Sequence, residues 1–363
     1  MNCDGLETDY TNGGQRVKHL FLLCGVVLCA GCSSAGYYWQ AVNGHARILN
    51  REKPIAEVIA DKSTRPAVRQ KLQQVQAIRR FASQSLHLPD NNSYTQYVDL
   101  KRPYALWNVV ATPRFSIQPK QWCYLFVGCM SYRGYYDKQQ AETYASSLRQ
   151  QGYDVMVSGA RAYSTLGWLE DPLLNTMLYR DNAKLAGIIF HELAHQRVYK
   201  KGFSAFNEAF AMTVEFEGVI KWLSTKNDVA GIKNYKEDFK HQLQFNQLLR
   251  ATRKKLQQAY SEKGSQQQKA KLKRRLFIEL KANYQKLKQD WGGDTGYDAW
   301  MAQDLNNAHL ALVGTYYDDV PYFQSLLKEY DYDFARFYKA VAAMRGEQIK
   351  VLRETLPRLV SRQ

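Results

Sequence analysis

This sequence has no internal repeat and no low-complexity tract, which excludes solenoids and unstructured scaffolds. It has no apolar stretch long enough to cross a bilayer. Its clearest apolar run, residues 20–29, has about half of the ~20 residues a spanning helix needs. Acidic residues are scarce beside basic ones, 34 against 50, so the formal charge is +16. No nucleic-acid motif accompanies that charge. Cysteine is sparse and unevenly placed: of six, Cys3, Cys24, Cys29 and Cys32 crowd the N-terminus and only Cys123 and Cys129 remain. The aromatic content, 13%, argues for a packed protein.

The N-terminal cysteines belong to a targeting pattern. Arg16 and Lys18 precede the 20–29 run, whose length suits a secretory signal, and the run leads into Leu28-Cys29-Ala30-Gly31-Cys32. Ala-Gly-Cys is the end of a lipoprotein processing box. The expectation is a signal peptide over 1–31, a lipidated Cys32 and a single domain over 32–363. An ordinary signal peptide cut nearby is the alternative. Ser33 and Ser34, with no Asp after Cys32, point to the outer membrane with the folded part in the periplasm. In that oxidising compartment Cys123 and Cys129 are expected to form a disulfide, with a pair of buried thiols as the alternative.

The chemistry-bearing feature is the run Gly187-Ile188-Ile189-Phe190-His191-Glu192-Leu193-Ala194-His195-Gln196, which holds H-E-x-x-H. Two imidazoles four residues apart share one helix face about one turn apart, so both can bind one metal ion. The carboxylate between them in sequence, Glu192, can then act as general base on a water that the metal activates. A surface helix with His191 or His195 pairing to Glu192 is the competing reading, but the uncharged residues before His191 argue for a helix beneath a cleft. Asp181 or Asn182 can cap that helix, predicted over 183–200, and Gly202 can stop it.

A catalytic metal usually takes three protein ligands. Glu208, in Phe206-Asn207-Glu208-Ala209, is the favoured third, at the start of a second helix over 205–223 that Ser204 can cap. A carboxylate placed there for the helix dipole alone is the alternative. Glu215 and Glu217 compete for the ligand role, and at most one of them shares the face of Glu208. No third His follows at short spacing, which argues against a three-His site. For the oxyanion, Asn306, Asn307, Tyr316 and Tyr317 are candidates. For holding a substrate's free amine, Glu215, Glu217, Asp318 and Asp319 are candidates.

With these residues stand Tyr37-Tyr38-Trp39-Gln40-Ala41, Leu88-Pro89-Asp90-Asn91-Asn92-Ser93-Tyr94, Ala105-Leu106-Trp107-Asn108, Ser131-Tyr132-Arg133-Gly134 and Tyr163-Ser164-Thr165-Leu166-Gly167-Trp168. Together they make the chain resemble the bacterial lipoprotein-type predicted zinc aminopeptidases, a gluzincin-like H-E-x-x-H group. The resemblance implies zinc as cofactor, His191, His195 and Glu208 as its ligands, Glu192 as base and a peptide as substrate. It also suggests that Ser164, Gly167 and Trp168 lie on an edge strand that pairs with the substrate backbone. An ordinary strand ending at Asp171-Pro172 is the alternative.

The expected fold is α+β and predominantly α. It would be a zincin-like metallopeptidase domain with a small mixed sheet, the motif helix, and a long helical hairpin inserted over 235–291, broken near Gly264-Ser265. A helix over 65–85 follows from apolar spacing. Strands are expected at 106–111, 124–127 and 153–158. Asp137 should cap a helix to 148, with further helices over 300–314 and from 322. Much of the positive charge sits in the hairpin, as in Arg250, Arg253, Lys254 and Lys255 or Lys271, Lys273, Arg274 and Arg275. Solvated helix faces explain it simply; attraction to anionic lipid headgroups beside the anchor is the second reading, and nucleic acid is not expected. The functional expectation is an envelope zinc aminopeptidase. An endopeptidase in outer-membrane protein quality control and a non-catalytic zinc-binding lipoprotein are the alternatives. An intact Glu192 speaks against the last, since a structural zinc needs no base.

Overall fold

A computed structural model describes residues 36–124, 128–162, 169–313 and 319–349. By its internal contacts the chain divides after Asn50. In the first unit, residues 36–49 form a helix, α1. Cys32 lies outside the described residues.

The second unit is mostly helical, with three small sheets. Strand β1 (Lys53–Pro54) leads into α2 (Ile55–Ala60) and α3 (Pro66–Leu86). Pro66 opens α3, where its missing N–H costs nothing, and Leu72, Val75, Ile78, Ala82 and Leu86 bury one stripe. Strand β2 (Gln96–Val98) pairs antiparallel with β1. Strand β3 (Leu106–Pro113) runs on to Pro113, past the predicted end at 111. Strands β4 (Trp122–Tyr124) and β5 (Gly128–Met130) form a hairpin in which Cys123 faces Cys129, and the two are joined as a disulfide. Residues 125–127 are outside the described set. Strand β6 (Arg133–Tyr135) follows, then α4 (Lys138–Gln150), which Asp137 caps by accepting from Gln140 N.

Strand β7 (Tyr153–Ala160) pairs along its whole length with β3, antiparallel, giving the order β6-β3-β7. Val109, Val110 and Ala111 of β3 are fully buried. Strand β8 (Leu173–Leu174) closes the other three-stranded sheet by pairing parallel with β2.

Two helices follow: α5 (Asn182–Arg197) and α6 (Ser204–Ser224). The first carries the H-E-x-x-H run and packs between α3 and α6. Asp181 caps it by accepting from Lys184 N. It stops three residues short of the predicted 200, because Val198 is already extended, and Gly202 turns the chain at φ +85°. Ser204 does not cap α6. It is the first helical residue, and no side chain caps from Phe203. The α6 aromatics Phe206 and Phe210 instead lock the helix against Phe323 and Phe337, each fully buried ring contributing roughly 1.5–3 kcal/mol.

The hairpin comprises α7 (Val229–Ser261) and α8 (Gln266–Asp290). Ser265 caps α8 in a reciprocal pair with Gln268. Phe245, Leu249, Leu256, Leu276, Leu280 and Tyr284 form the seam between the two helices.

The single helix predicted over 300–314 is two short ones, α9 (Asp298–Met301) and α10 (Asn307–Ala311). The first ends at Met301, and Asn306 starts the second: it is extended (φ −141°) and its Oδ1 accepts from Ala308 N. Helices α11 (Val320–Glu329) and α12 (Phe334–Ala343) complete the fold.

His309 in α10 completes that cap, its Nδ1 accepting from Asn306 N at 3.1 Å. Burial pushes its pKa down to about 4, against weaker opposing effects from the Asn306 backbone and the Asp304 and Asp154 charges. The folded chain therefore keeps His309 neutral while the unfolded chain takes up a proton near pH 6.5. The associated stability is present above that pH and is lost as pH falls toward 4, about 3 kcal/mol in all. His309→Gln keeps an acceptor at the same position but does not titrate. Denaturant midpoints measured from pH 7 to 4 should fall more steeply for the wild-type chain than for this variant; parallel slopes would refute the assignment.

Candidate metal centre

Three side chains converge where α5 meets α6. His191 Nε2 lies 3.2 Å from His195 Nε2. Glu208 Oε2 is 3.4 Å from His191 Nε2, and its Oε1 is 3.6 Å from His195 Nε2. The three donors all lie within 4.8 Å of one another and could hold a metal ion. Metal–ligand bonds of about 2.0–2.1 Å in a tetrahedron place neighbouring donor atoms about 3.3 Å apart. The separation of the two ring nitrogens, 3.2 Å, is close to that edge, and each Glu208 oxygen faces a different imidazole; two imidazoles and a carboxylate are donors such an ion takes.

The placement of Glu208 depends on Asn207, whose role the sequence did not disclose. Asn207 is buried and clasps the α5–α6 connection, its Oδ1 accepting from Lys200 N and its Nδ2 donating to Lys200 O, both at 2.8 Å. With the connection so fixed, the next residue faces the two imidazoles.

Behind His191 lies a second carboxylate. Glu215 is two turns beyond Glu208 and so shares its face. Its Oε2 sits 3.0 Å from His191 Nδ1, and its Oε1 accepts from Tyr235 Oη at 3.2 Å. A contact of Nδ1–H with Glu215 turns the other ring nitrogen, Nε2, toward His195 and Glu208. Glu215 is therefore not among the three grouped donors; its carboxylate is engaged by His191 and Tyr235 instead. Glu217 points elsewhere, accepting from Gln324 of α11 at 3.0 Å, and burial raises its pKa. His195 Nδ1 is buried and has no hydrogen-bond partner among the described residues.

The electrostatics suit a cation. Burial alone would lower the pKa of His191, but hydrogen bonds to Glu208 and Glu215 and the charges of Glu215 and Glu192 outweigh it and raise it to about 10. Burial would raise the pKa of Glu208; its contacts with His191 and His195 bring it down to about 2 instead. Three carboxylates thus surround one imidazole, and the centre has room for positive charge.

Gly187 explains why α5 and α6 come this close. A Cβ there would stand 3.0 Å from both Glu215 Oε1 and Tyr235 Oη. Gly187→Ala should push Glu215 off His191. We expect a net loss of up to about 2 kcal/mol of stability, the crowding cost of about 1–3 kcal/mol being offset by about 1 kcal/mol of helix propensity gained by Ala, with weakened metal uptake, measured by thermal unfolding and metal titration. Unchanged values in both would show that the neighbours yield freely.

Asn306 and Asn307 are not available to an oxyanion. Asn306 caps α10 and donates to Val155 O. Asn307 donates to Arg114 O and accepts from Tyr260 Oη. Both fasten α10 to the strands and hairpin. Asp319 is buried at the start of α11. Ser164, Gly167, Trp168, Tyr316, Tyr317 and Asp318 lie outside the described residues. A cavity of about 680 Å³ bounded by Asp181, Lys184, Trp222, Tyr235, Asp238 and His241 touches none of the three donors. It shares with the centre only Tyr235, behind Glu215.

Residues 36–356 match the model of a family described as Putative aminopeptidase. The chain belongs to that family. No curated protein and no solved structure matches it. The family match runs from α1 past α12, so α5, α6, the hairpin and the sheets all lie within the span of this aminopeptidase family.

Proposed function

We propose that this member of the aminopeptidase family is a zinc-dependent exopeptidase of the bacterial cell envelope, with a zincin-like catalytic core. The observation that carries the reading is the convergence of His191, His195 and Glu208 within 4.8 Å of one another, with Glu192 next to His191 on the same helix. Zinc, when bound there, supplies Lewis-acid activation of water and of the scissile carbonyl. The chain's own groups do the rest. Glu192 takes a proton from the attacking water and returns one to the leaving amine. Glu215, held by Tyr235, keeps the His191 ring in the ligating tautomer and orientation. Asn207 keeps Glu208 facing the imidazoles. Two nitrogens and one carboxylate form a three-ligand set, which leaves a coordination position for chemistry, as catalytic sites do and closed structural sites do not.

Export is part of the same proposal. The Cys123–Cys129 bond fits an oxidising compartment, and Cys32 would anchor the chain to the outer membrane, facing the periplasm. The testing experiment is cleavage mapping by mass spectrometry on matched peptides with free and acetylated N-termini. Stepwise loss of N-terminal residues from the free peptides alone, abolished by chelation and restored by zinc, is the expected result. Internal cuts in both sets would replace the exopeptidase reading with an endopeptidase. No cleavage in either would reject a peptidase.

A further inference from the structure

We propose that the outer face of α8 is a docking surface for an anionic lipid bilayer. Lys271, Arg274, Arg275, Ile278 and Lys281 recur at three- and four-residue steps and are all exposed, so they share one side of the helix, a stripe about 15 Å long. The opposite side, with Leu276, Leu280 and Tyr284, is committed to the seam with α7. The stripe is therefore left to solvent or to a partner.

Little of its charge is neutralised within the protein, although Lys281 Nζ donates to Gln303 O at 3.2 Å and Arg275 lies in the field of Glu279. Glu279, the one acidic residue of α8 before Asp290, is already paired with Lys255 of α7. Lys273, which points the other way, is paired with Asp154 of β7. Beside the stripe runs a groove of about 380 Å³, whose walls include Arg114, Phe115, Arg274, Phe277, Ile278 and Lys281, with Asp304 its one acidic side chain. The Arg114 guanidinium lies over the Phe115 ring, 5.3 Å from its centroid, so that a cation and an aromatic face present themselves together.

The occupant follows from this mixture. A free anion would need the cations alone. A duplex would need cations spaced along its backbone and would have no use for an isoleucine 60% exposed at their centre. A bilayer surface uses both: phosphate headgroups meet the lysines and arginines, and Ile278, the exposed apolar side chain among them, enters the acyl boundary. The charge complementarity is directional, because the basic stripe lies on one helix face of a chain whose formal charge is +16.

The test uses the full chain carrying Cys32→Ser, so that no lipid is attached, and sedimentation with vesicles of phosphatidylcholine alone or mixed with phosphatidylglycerol. The parent should bind the anionic vesicles, weaken with salt and leave the neutral ones largely unbound. Removing Lys271, Arg274 and Arg275 as Gln should cost about fivefold for each charge, about a hundredfold together. Ile278→Ser alone should weaken binding at high salt, where the charges are screened. Equal binding of parent and triple variant, or equal binding to both vesicle types, would overturn the proposal and leave the 20–29 segment as the attachment. Tighter capture by random-sequence duplex DNA, lost in the same triple variant, would also overturn it in favour of nucleic acid. Neither substitution touches the metal centre, so peptidase activity, if present, should be unchanged and serves as the folding control.

Discussion

Replacing Glu192 by Gln is expected to lower kcat/KM for peptide hydrolysis by about 10²–10⁴-fold, while the protein still takes up one equivalent of zinc. The amide matches the carboxylate in size but cannot accept a proton from the attacking water. Glu192 is not one of the three donor residues, so metal content separates a lost base from a lost site. The charge of Glu192 also helps to keep the pKa of His191 high. Its removal should therefore ease, not impede, exchange of the His191 proton for a metal. Activity within threefold of the parent at equal zinc content would remove Glu192 from the mechanism. Activity and zinc lost together would make it a ligand or a structural residue.

The second large effect concerns metal uptake and pH. In the metal-free chain the carboxylates about His191 raise its pKa to about 10, so at pH 7 the ring carries a proton that a metal must displace. Uptake should release about one proton per ion from this group. Apparent affinity should rise about tenfold per pH unit between pH 6 and 8, the sign being set by a group protonated throughout that window. Calorimetry in two buffers of different ionisation enthalpy reads the proton count directly. Glu208→Gln should abolish tight uptake, since it removes the anionic ligand and part of what holds that proton. Saturating metal at a thousand times its Kd adds about 4 kcal/mol to stability. Chelator should therefore lower the Tm of the parent and leave that of Glu208→Gln unmoved. A pH-independent affinity, or a chelator effect that survives the substitution, would sink the ligand assignment.

How much of this was legible in the sequence differs by the physics of each element. α3, α4, α6 and the hairpin helices followed from apolar spacing, with Asp137 announcing the start of α4; α7 begins at Val229, six residues before the expected 235, because Asp228 caps it, and Ser204 does not cap α6. The run over 300–314 divides because Gln303-Asp304-Leu305 leaves the helix after α9 and Asn306 starts α10 as its N-cap, while periodicity alone runs across both. That His191 and His195 come together was readable from their spacing on one helix. Glu208 was readable as a residue type near a turn, although Asn207, which aims it, looked like any polar residue. Glu215 was weighed as ligand or anchor; that it contacts His191 Nδ1 was not legible, because the contact is shared with Tyr235, twenty residues on and one of 25 tyrosines. Gly187 did leave a signal: a glycine interrupting an otherwise strong helix marks a close approach.

The α5–α6 pair has a consequence in time. All three donors and Glu215 come from two helices adjacent in sequence, joined by the short connection that Asn207 clasps. Only a small loop must close to bring them together, whereas β8 must find β2 across the intervening chain. The centre can thus assemble early, before the sheets pair, and an ion captured at that stage would bias the rest of folding. Pulse-labelled hydrogen exchange should show α5 and α6 protected ahead of β2 and β8, and further ahead when zinc is in the refolding buffer.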